Sequence, residues 1–265
     1  VEPILGGDIK LIEKYTNLVN KEYLILLYTL LVTTLLSNIQ VPCLLVHGQQ
    51  GSSKTTLLKL IRDLVDPSVT SVLDFPKNKA DLIQMIDHNR VSFFDNLTSL
   101  SHNNSDLLCR VITGFSSSAR KLYSDDDDFL RSIQSVIGLN GIVNVVGRPD
   151  LLERSIIIEC APIKMSNRRP ENDIWDEFRI DSPKIFGGLL DLTVKVLNKL
   201  PEIEKTNLRR MADYTLVGEA TAQCMEMEAG EFRRIYELNI AEANQSGIEQ
   251  EKLAETVVIW MDEIK

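Results

Sequence analysis

Hydrophobic positions divide the chain into two regimes. Up to about residue 160, short apolar runs alternate with stretches of helical spacing. "PCLLVHG" is a continuous apolar run entering a glycine turn, the pattern of a buried strand. "KTTLLKLIRDLV" follows, with Leu57, Leu58, Ile61 and Leu64 spaced to share one helix face. "TSVLDF" (70–75) predicts a second strand, ended by Pro76, and "KADLIQMIDHN" a helix. "RVSFFDN" (90–96) reads as a strand with a polar end, and "SDLLCRVITG" as a helix closing on Gly114. "ARKLYSDDDDFLRSIQ" predicts a hairpin of two short mixed strands around an acidic tip. "SVIGLNG" (135–141) and "RSIIIEC" (154–160) are two further strands. Residues 1–40 read as helical, and their most apolar part is "YLILLYTLLVTTLLS" (23–37). That run falls short of the roughly 20 residues that span a bilayer and carries threonines, so it predicts a buried helix.

After "APIKMSNRRP" the strand signal stops. "DIWDEF", "PKIFGGLLDLTVKVLNKL", "NLRRMADYTLVGEATAQCM", "GEFRRIYELNIAEAN" and "EKLAETVVIWMDEI" are candidate helices. Strands alternating with helices and then helices alone predict an α/β core with a parallel-type sheet, over 1–162, and an all-helical unit over 163–265.

Composition narrows this picture little. Hydrophobic residues are 44% and charged residues 25% of 265, enough for a sizeable core without disulfides. A net charge of -9 argues against a uniformly basic nucleic-acid binder, while leaving room for a local basic strip or pore lining. Cys43, Cys109, Cys160 and Cys224 are scattered singly, the pattern of free thiols in a reducing, cytoplasmic compartment. His47, His88 and His102 lack ligand spacing, so no zinc site is expected. The chain opens at Val1 with no signal peptide and reads as an excised fragment of a soluble protein.

The chemistry gathers at four places. "GQQGSSKTT" nearly spells the phosphate-binding loop G-x-x-x-x-G-K-S/T, with Ser53 where a glycine is usual. Residues Gly48, Gln49, Gln50, Gly51, Ser52, Ser53, Lys54, Thr55 and Thr56 would wrap a triphosphate with backbone N–H groups and a helix N-terminus. Lys54 would neutralise the β/γ oxygens and the Thr55 hydroxyl would ligate Mg²⁺. Ser53 fits if its φ is negative, which makes Gly51 the left-handed position. About 40 residues on, "VSFFDN" has the form of a Walker B strand, with Asp95 as Mg²⁺ ligand or, in the plainer reading, a strand-end cap. Asn96 stands where many ATPases place a glutamate; an amide orients water without accepting its proton, so ATP binding is better supported than fast hydrolysis. Asn140, ending "SVIGLN", would position water near the γ-phosphate or, alternatively, start a hairpin turn with Gly141. Arg148 and Arg154 in "GRPDLLERSII" would reach a neighbouring subunit's phosphate or form salt bridges with Asp150 or Glu153.

The order of these motifs resembles the AAA+ core of superfamily 3 helicases, in the style of phage, plasmid and large-virus primase–helicases. "ITGFSSSARKLYSDDDDF", "SVIGLNGI" and "RPDLLERSI" carry the resemblance beyond the two Walker motifs. The chain is also similar to prokaryotic ATP-binding proteins with Gly-Ser-Ala/Ser-Lys, Asp-Asn-Leu and Arg-Met-Ala-Asp elements, here Gly51–Lys54, Asp95–Leu97 and Arg210–Asp213. The resemblance spans about residues 25–240. It implies a P-loop ATPase core with a helical lid, in a ring-shaped homo-oligomer, a hexamer, with ATP between subunits. Lys54, Thr55, Asp95 and Asn140 would act in cis with Mg²⁺, Arg154 with Arg148 in trans, and Arg210 as a second sensor on the nucleotide. The hairpin 120–131 would meet single-stranded or forked DNA through Arg120, Lys121, Tyr123 and Arg131. Its acidic tip Asp125–Asp128 departs from the family pattern, since four aspartates repel phosphate. The implied function is a replication helicase or translocase of a mobile element, in a prokaryotic or virus-infected cell. A slow nucleotide-dependent assembly switch is the alternative, and a small-molecule kinase a third reading.

Overall fold

A computed structural model describes residues 1–120, 128–142, 148–206 and 208–263, with side chains omitted at 115–120, 128–133 and most of 246–263. Five strands form one sheet in the order β2-β3-β6-β1-β7, and two form a separate hairpin. The sheet strands are β1 (Cys43–His47), β2 (Leu73–Asp74), β3 (Val91–Leu97), β6 (Val136–Gly141) and β7 (Ser155–Glu159). The hairpin pairs β4 (Phe115–Arg120) with β5 (Asp128–Ile133). Every pairing in the five-stranded sheet is parallel. Their continuous apolar runs follow from burial on both faces. The connecting helices are α1 (Leu24–Leu35), α2 (Lys54–Val65), α3 (Lys79–Asp87), α4 (His102–Thr113) and the short α5 (Pro149–Leu152). The helices α6 (Glu171–Lys199), α7 (Ala212–Cys224) and α8 (Glu231–Glu263) follow the last strand.

The expected elements are present, with differences at their edges. Of residues 1–40, only α1 is α-helical; Ile9–Tyr15 and Lys21–Tyr23 are 3-10 turns, and Leu18 bridges to Cys160. The threonines of α1 are tolerated in the core because Thr29 and Thr34 donate their hydroxyls to the carbonyls of Ile25 and Leu30, at 2.8 Å. The second strand is only two residues long. The hairpin begins at Phe115, earlier than the sequence suggests. "DIWDEF" and "PKIFGGLLDLTVKVLNKL" are one continuous helix, α6, and the last two candidate helices are also one, α8.

The helical unit shares a core with the sheet. Tyr214 of α7 donates its hydroxyl to the Leu26 carbonyl of α1 at 2.9 Å. At the sheet edge, buried Asn239 of α8 accepts from Ile157 N–H at 2.9 Å and donates to Ile157 C=O at 2.7 Å. This amide satisfies the exposed side of β7 as a further strand would. Buried Glu219 of α7 in turn accepts the N–H groups of Gly230 and Arg233 at 2.9 Å, fixing the start of α8.

Candidate functional site

A parallel sheet presents its ligand site at the carboxyl ends of its strands, where the loops to the helices open. Here β1 runs into the loop Gly48–Ser53 and α2 begins at Lys54. Gly48 has φ 144°, and a Cβ there would strike the Cys160 carbonyl and sit 3.0 Å from Ser52 Oγ. Ser52 is fully buried and donates to the Gln49 carbonyl at 2.8 Å, bracing the loop from inside. Two further positions have positive φ, Gly51 at 78° and Ser53 at 64°. The expectation of a negative φ at Ser53 is therefore wrong. The chain must turn sharply into α2 immediately before Lys54, and serine adopts the strained conformation there.

Lys54 lies along the loop, its ammonium donating to the carbonyls of Gly48 at 2.8 Å and Gln49 at 2.9 Å. Thr55 donates its hydroxyl to Asp95 Oδ2 at 2.9 Å. Asn140 donates its amide to Thr55 Oγ1 at 3.2 Å and makes a shorter bond to Asp95 Oδ1. Three residues far apart in sequence thus form one cluster. Sheet order brings them together, because β6 lies between β1 and β3 and places Asn140 opposite Val46. Asn140 is 2% exposed, and its own Oδ1 has no partner among the described residues. A buried amide oxygen without a donor is unusual in a folded core and suits a site that receives a water or a ligand group.

Asn96 also lines this cleft and has φ 55°, at an irregularity in the pairing of β3 with β6. Asparagine is among the few residues that take up left-handed backbone readily. Its place is thus explained by conformation as well as by its amide. The cleft measures about 1050 Å³. Its walls carry Lys14, Lys54, Lys164, Arg168 and Arg169 and, among the described residues, no carboxylate, in a chain whose net charge is -9. Asp95 stands behind Thr55. One carboxylate and one hydroxyl are too few to hold Mg²⁺ alone, but they fit an ion whose remaining ligands are phosphate and water. No larger group of potential metal ligands occurs among the described residues. Burial lowers the His47 pKa at the end of β1 and pushes the Cys160 thiol beside it up to about 12.

The arginine group lies elsewhere. Arg154 precedes β7, and its carbonyl accepts from Cys43 at the start of β1. That is the amino end of the strands, about 16 Å from the loop for five residues of strand. Arg154 donates to Asp150 at 2.7 Å, the salt bridge its alternative reading named, and holds the Asp150 carboxyl below the usual carboxylate range. Arg148 pairs with Asp106 at 3.2 Å, not with Asp150 or Glu153. Arg210 pairs with Asp150 at 2.6 Å and Glu153 at 3.2 Å. Arg210 precedes α7 at this same end and is not among the residues lining the cleft of its own chain, although the resemblance implies a second sensor on the nucleotide. Of the hairpin residues, Lys121 and Tyr123 lie outside the described residues, as does most of the acidic tip. Arg120 and Arg131 are placed by backbone register alone, opposite Asp128 and Ser117.

The sequence reading missed the cleft's second wall. Lys14–Asn17 and Pro162–Arg169 face the loop, and the signal was available: "KMSNRR" is a basic cluster in an acidic chain, directly after the last strand.

Two solved structures of one protein share this architecture. The C-terminal region of NrS-1 (A form, apo) superposes with a TM-score of 0.51 at 14% identity, covering 71% of this chain and 47% of that one. Its apo form spanning residues 305–718 gives 0.51 at 13% identity, over 90% and 53% of the two chains. SCCmec type IV Cch, described as an active helicase, gives 0.48 at 11% identity over 95% and 54%. The chain thus spans about half the length of these solved structures. No curated protein matches it in sequence. The family model of the actinomycete integrative conjugative element replication protein matches residues 9–234. That stretch holds the loop, Asp95 and Asn140 together with both walls of the cleft, and the chain belongs to this replication-protein family.

Proposed function

We propose that the chain is the ATP-binding, Mg²⁺-dependent motor module of a replication helicase, working as a ring-shaped homo-oligomer, a hexamer, on single-stranded or forked DNA. The observation that carries this reading is the Thr55–Asp95–Asn140 cluster beside a basic phosphate loop. Lys54 exchanges the Gly48 and Gln49 carbonyls for phosphate oxygens when nucleotide enters. Thr55 and Asp95 would hold Mg²⁺, which would supply neutralisation of phosphate charge. Asn140 orients the attacking water through its free Oδ1, and the products are ADP and phosphate. Arg154 sits at the far end of β1 from the loop of its own chain, which favours its use, together with Arg148, on a neighbour's nucleotide. In that use Asp150 stays paired with Arg210 when Arg154 leaves it. The hairpin 115–133 supplies the DNA contact through Arg120, Lys121, Tyr123 and Arg131.

A second reading is a slow assembly switch. The lack of a carboxylate among the described residues of the cleft walls favours it, since Asp95 is committed to Thr55 and Asn140. Steady-state ATP turnover with and without single-stranded DNA separates the two. A motor shows DNA-stimulated turnover that Lys54→Ala abolishes. ATP-dependent assembly with no turnover above that of Lys54→Ala leaves the switch.

A further inference from the structure

The linker between β7 and α6 lies across the phosphate loop. Ile163 N–H reaches the Gly51 carbonyl at 3.5 Å, and Ala161 N–H donates to the Asn17 carbonyl at 2.8 Å. A 3-10 turn, Met165–Asn167, then returns the chain, with Arg168 N–H bonded to the Met165 carbonyl at 3.3 Å. This turn sends two consecutive arginines in different directions. Arg169 pairs with Glu177 on α6 at 2.7 Å. Arg168 takes no carboxylate among the described residues. Its guanidinium stands over the loop, so close that a Cβ on Gly51 would lie 3.0 Å from Nη2.

An exposed arginine normally finds an acidic partner or extends into solvent. One held against a glycine of a phosphate loop, in a cleft without carboxylates, meets the conditions for binding a phosphate fork to fork. We propose that Arg168 is a phosphate-binding residue acting in cis: it closes the linker Pro162–Arg169 over the β-phosphate of a nucleoside di- or triphosphate. This rests on the nucleotide reading of the loop and adds a residue of the chain's own to a site otherwise completed by neighbours. Because α6 follows the linker directly, the contact also ties phosphate occupancy to the placement of the helical unit. Lys59 of α2 and Glu171 of α6, paired at 3.1 Å, already join the same two elements.

Equilibrium titration of the chain with MgADP, MgATP and inorganic pyrophosphate tests this. Arg168→Ala weakens all three about tenfold, the loss expected for one charge-assisted contact. Arg168→Lys recovers part of the loss. Arg179→Ala, which removes an exposed arginine paired with Asp176 on α6, stays within about twofold because its charge is screened. An unchanged Arg168→Ala beside a Lys54→Ala that no longer binds overturns the proposal and leaves the phosphate loop standing. Weakened ADP with unchanged pyrophosphate moves Arg168 to the nucleoside and also overturns it. Equal losses in Arg168→Ala and Arg179→Ala reduce the effect to general charge and do the same. If Lys54→Ala binds all three ligands as the unaltered chain does, the nucleotide reading itself falls.

Discussion

A side chain at positive φ pushes its Cβ toward the neighbouring carbonyl, at a cost of about 1–2 kcal/mol that glycine escapes. Ser53 accepts this cost at φ 64°, between a buried serine and the lysine that starts α2. Ser53→Gly should therefore raise the unfolding free energy by about 1 kcal/mol, read from the denaturant midpoint, with nucleotide affinity retained. No gain would mean that Ser53 relaxes in solution. The loop itself was legible because its letters sit at fixed spacing between an apolar run and a helical one. The handedness of Ser53 was not, because it depends on how the loop exits into α2. Asn96 shows the same limit: its letter suggested weak catalysis, while its φ of 55° gives asparagine a conformational reason to be there.

Elements behave differently where another segment leans on them. Helix α6 runs through Pro183, where the sequence reads as two separate helices, and through the Gly187–Gly188 pair. The reason is the N-terminal segment. Ile4 N–H donates to the Pro183 carbonyl at 3.0 Å, and Asp181 accepts from Lys14 at 2.8 Å and Tyr15 at 3.0 Å. A Cβ on Gly187 would collide with the Ile4 carbonyl, and one on Gly188 with Asp8 and Ile9. Glycine to alanine inside a helix ordinarily stabilises by about 0.5–1 kcal/mol. Gly188→Ala should reverse that sign and lower the melting temperature, because the N-terminal segment must lift off α6. A higher melting temperature would show that the segment is not seated there. Such compensation joins residues at least 166 positions apart, so local periodicity carries no trace of it.

At the scale of the molecule, the sheet has two working ends. The carboxyl ends of its strands carry the loop, the Asp95–Asn140 cluster and the basic cleft; the amino ends carry Arg154 and, paired with the same Asp150, Arg210. The fold class was readable from the strand–helix alternation, and the cis cluster from motif order. The seat of Arg210 was not, since it follows from packing of the helical unit. Two ends so far apart fit a site completed between subunits. Mixing Lys54→Ala chains with Arg154→Ala or Arg148→Ala chains, each inactive alone, should restore part of the DNA-stimulated ATP turnover, because one loop then meets another chain's arginine. Mixtures as inactive as their components would contradict the trans role.

The claim on which these proposals depend is that the loop Gly48–Thr55 takes up MgATP. Calorimetric titration of the chain with ATP, with and without Mg²⁺, measures it most directly. The account predicts saturable binding at one site per chain, tighter with Mg²⁺ and lost in Lys54→Ala. No binding, or binding that Lys54→Ala leaves unchanged, would contradict it.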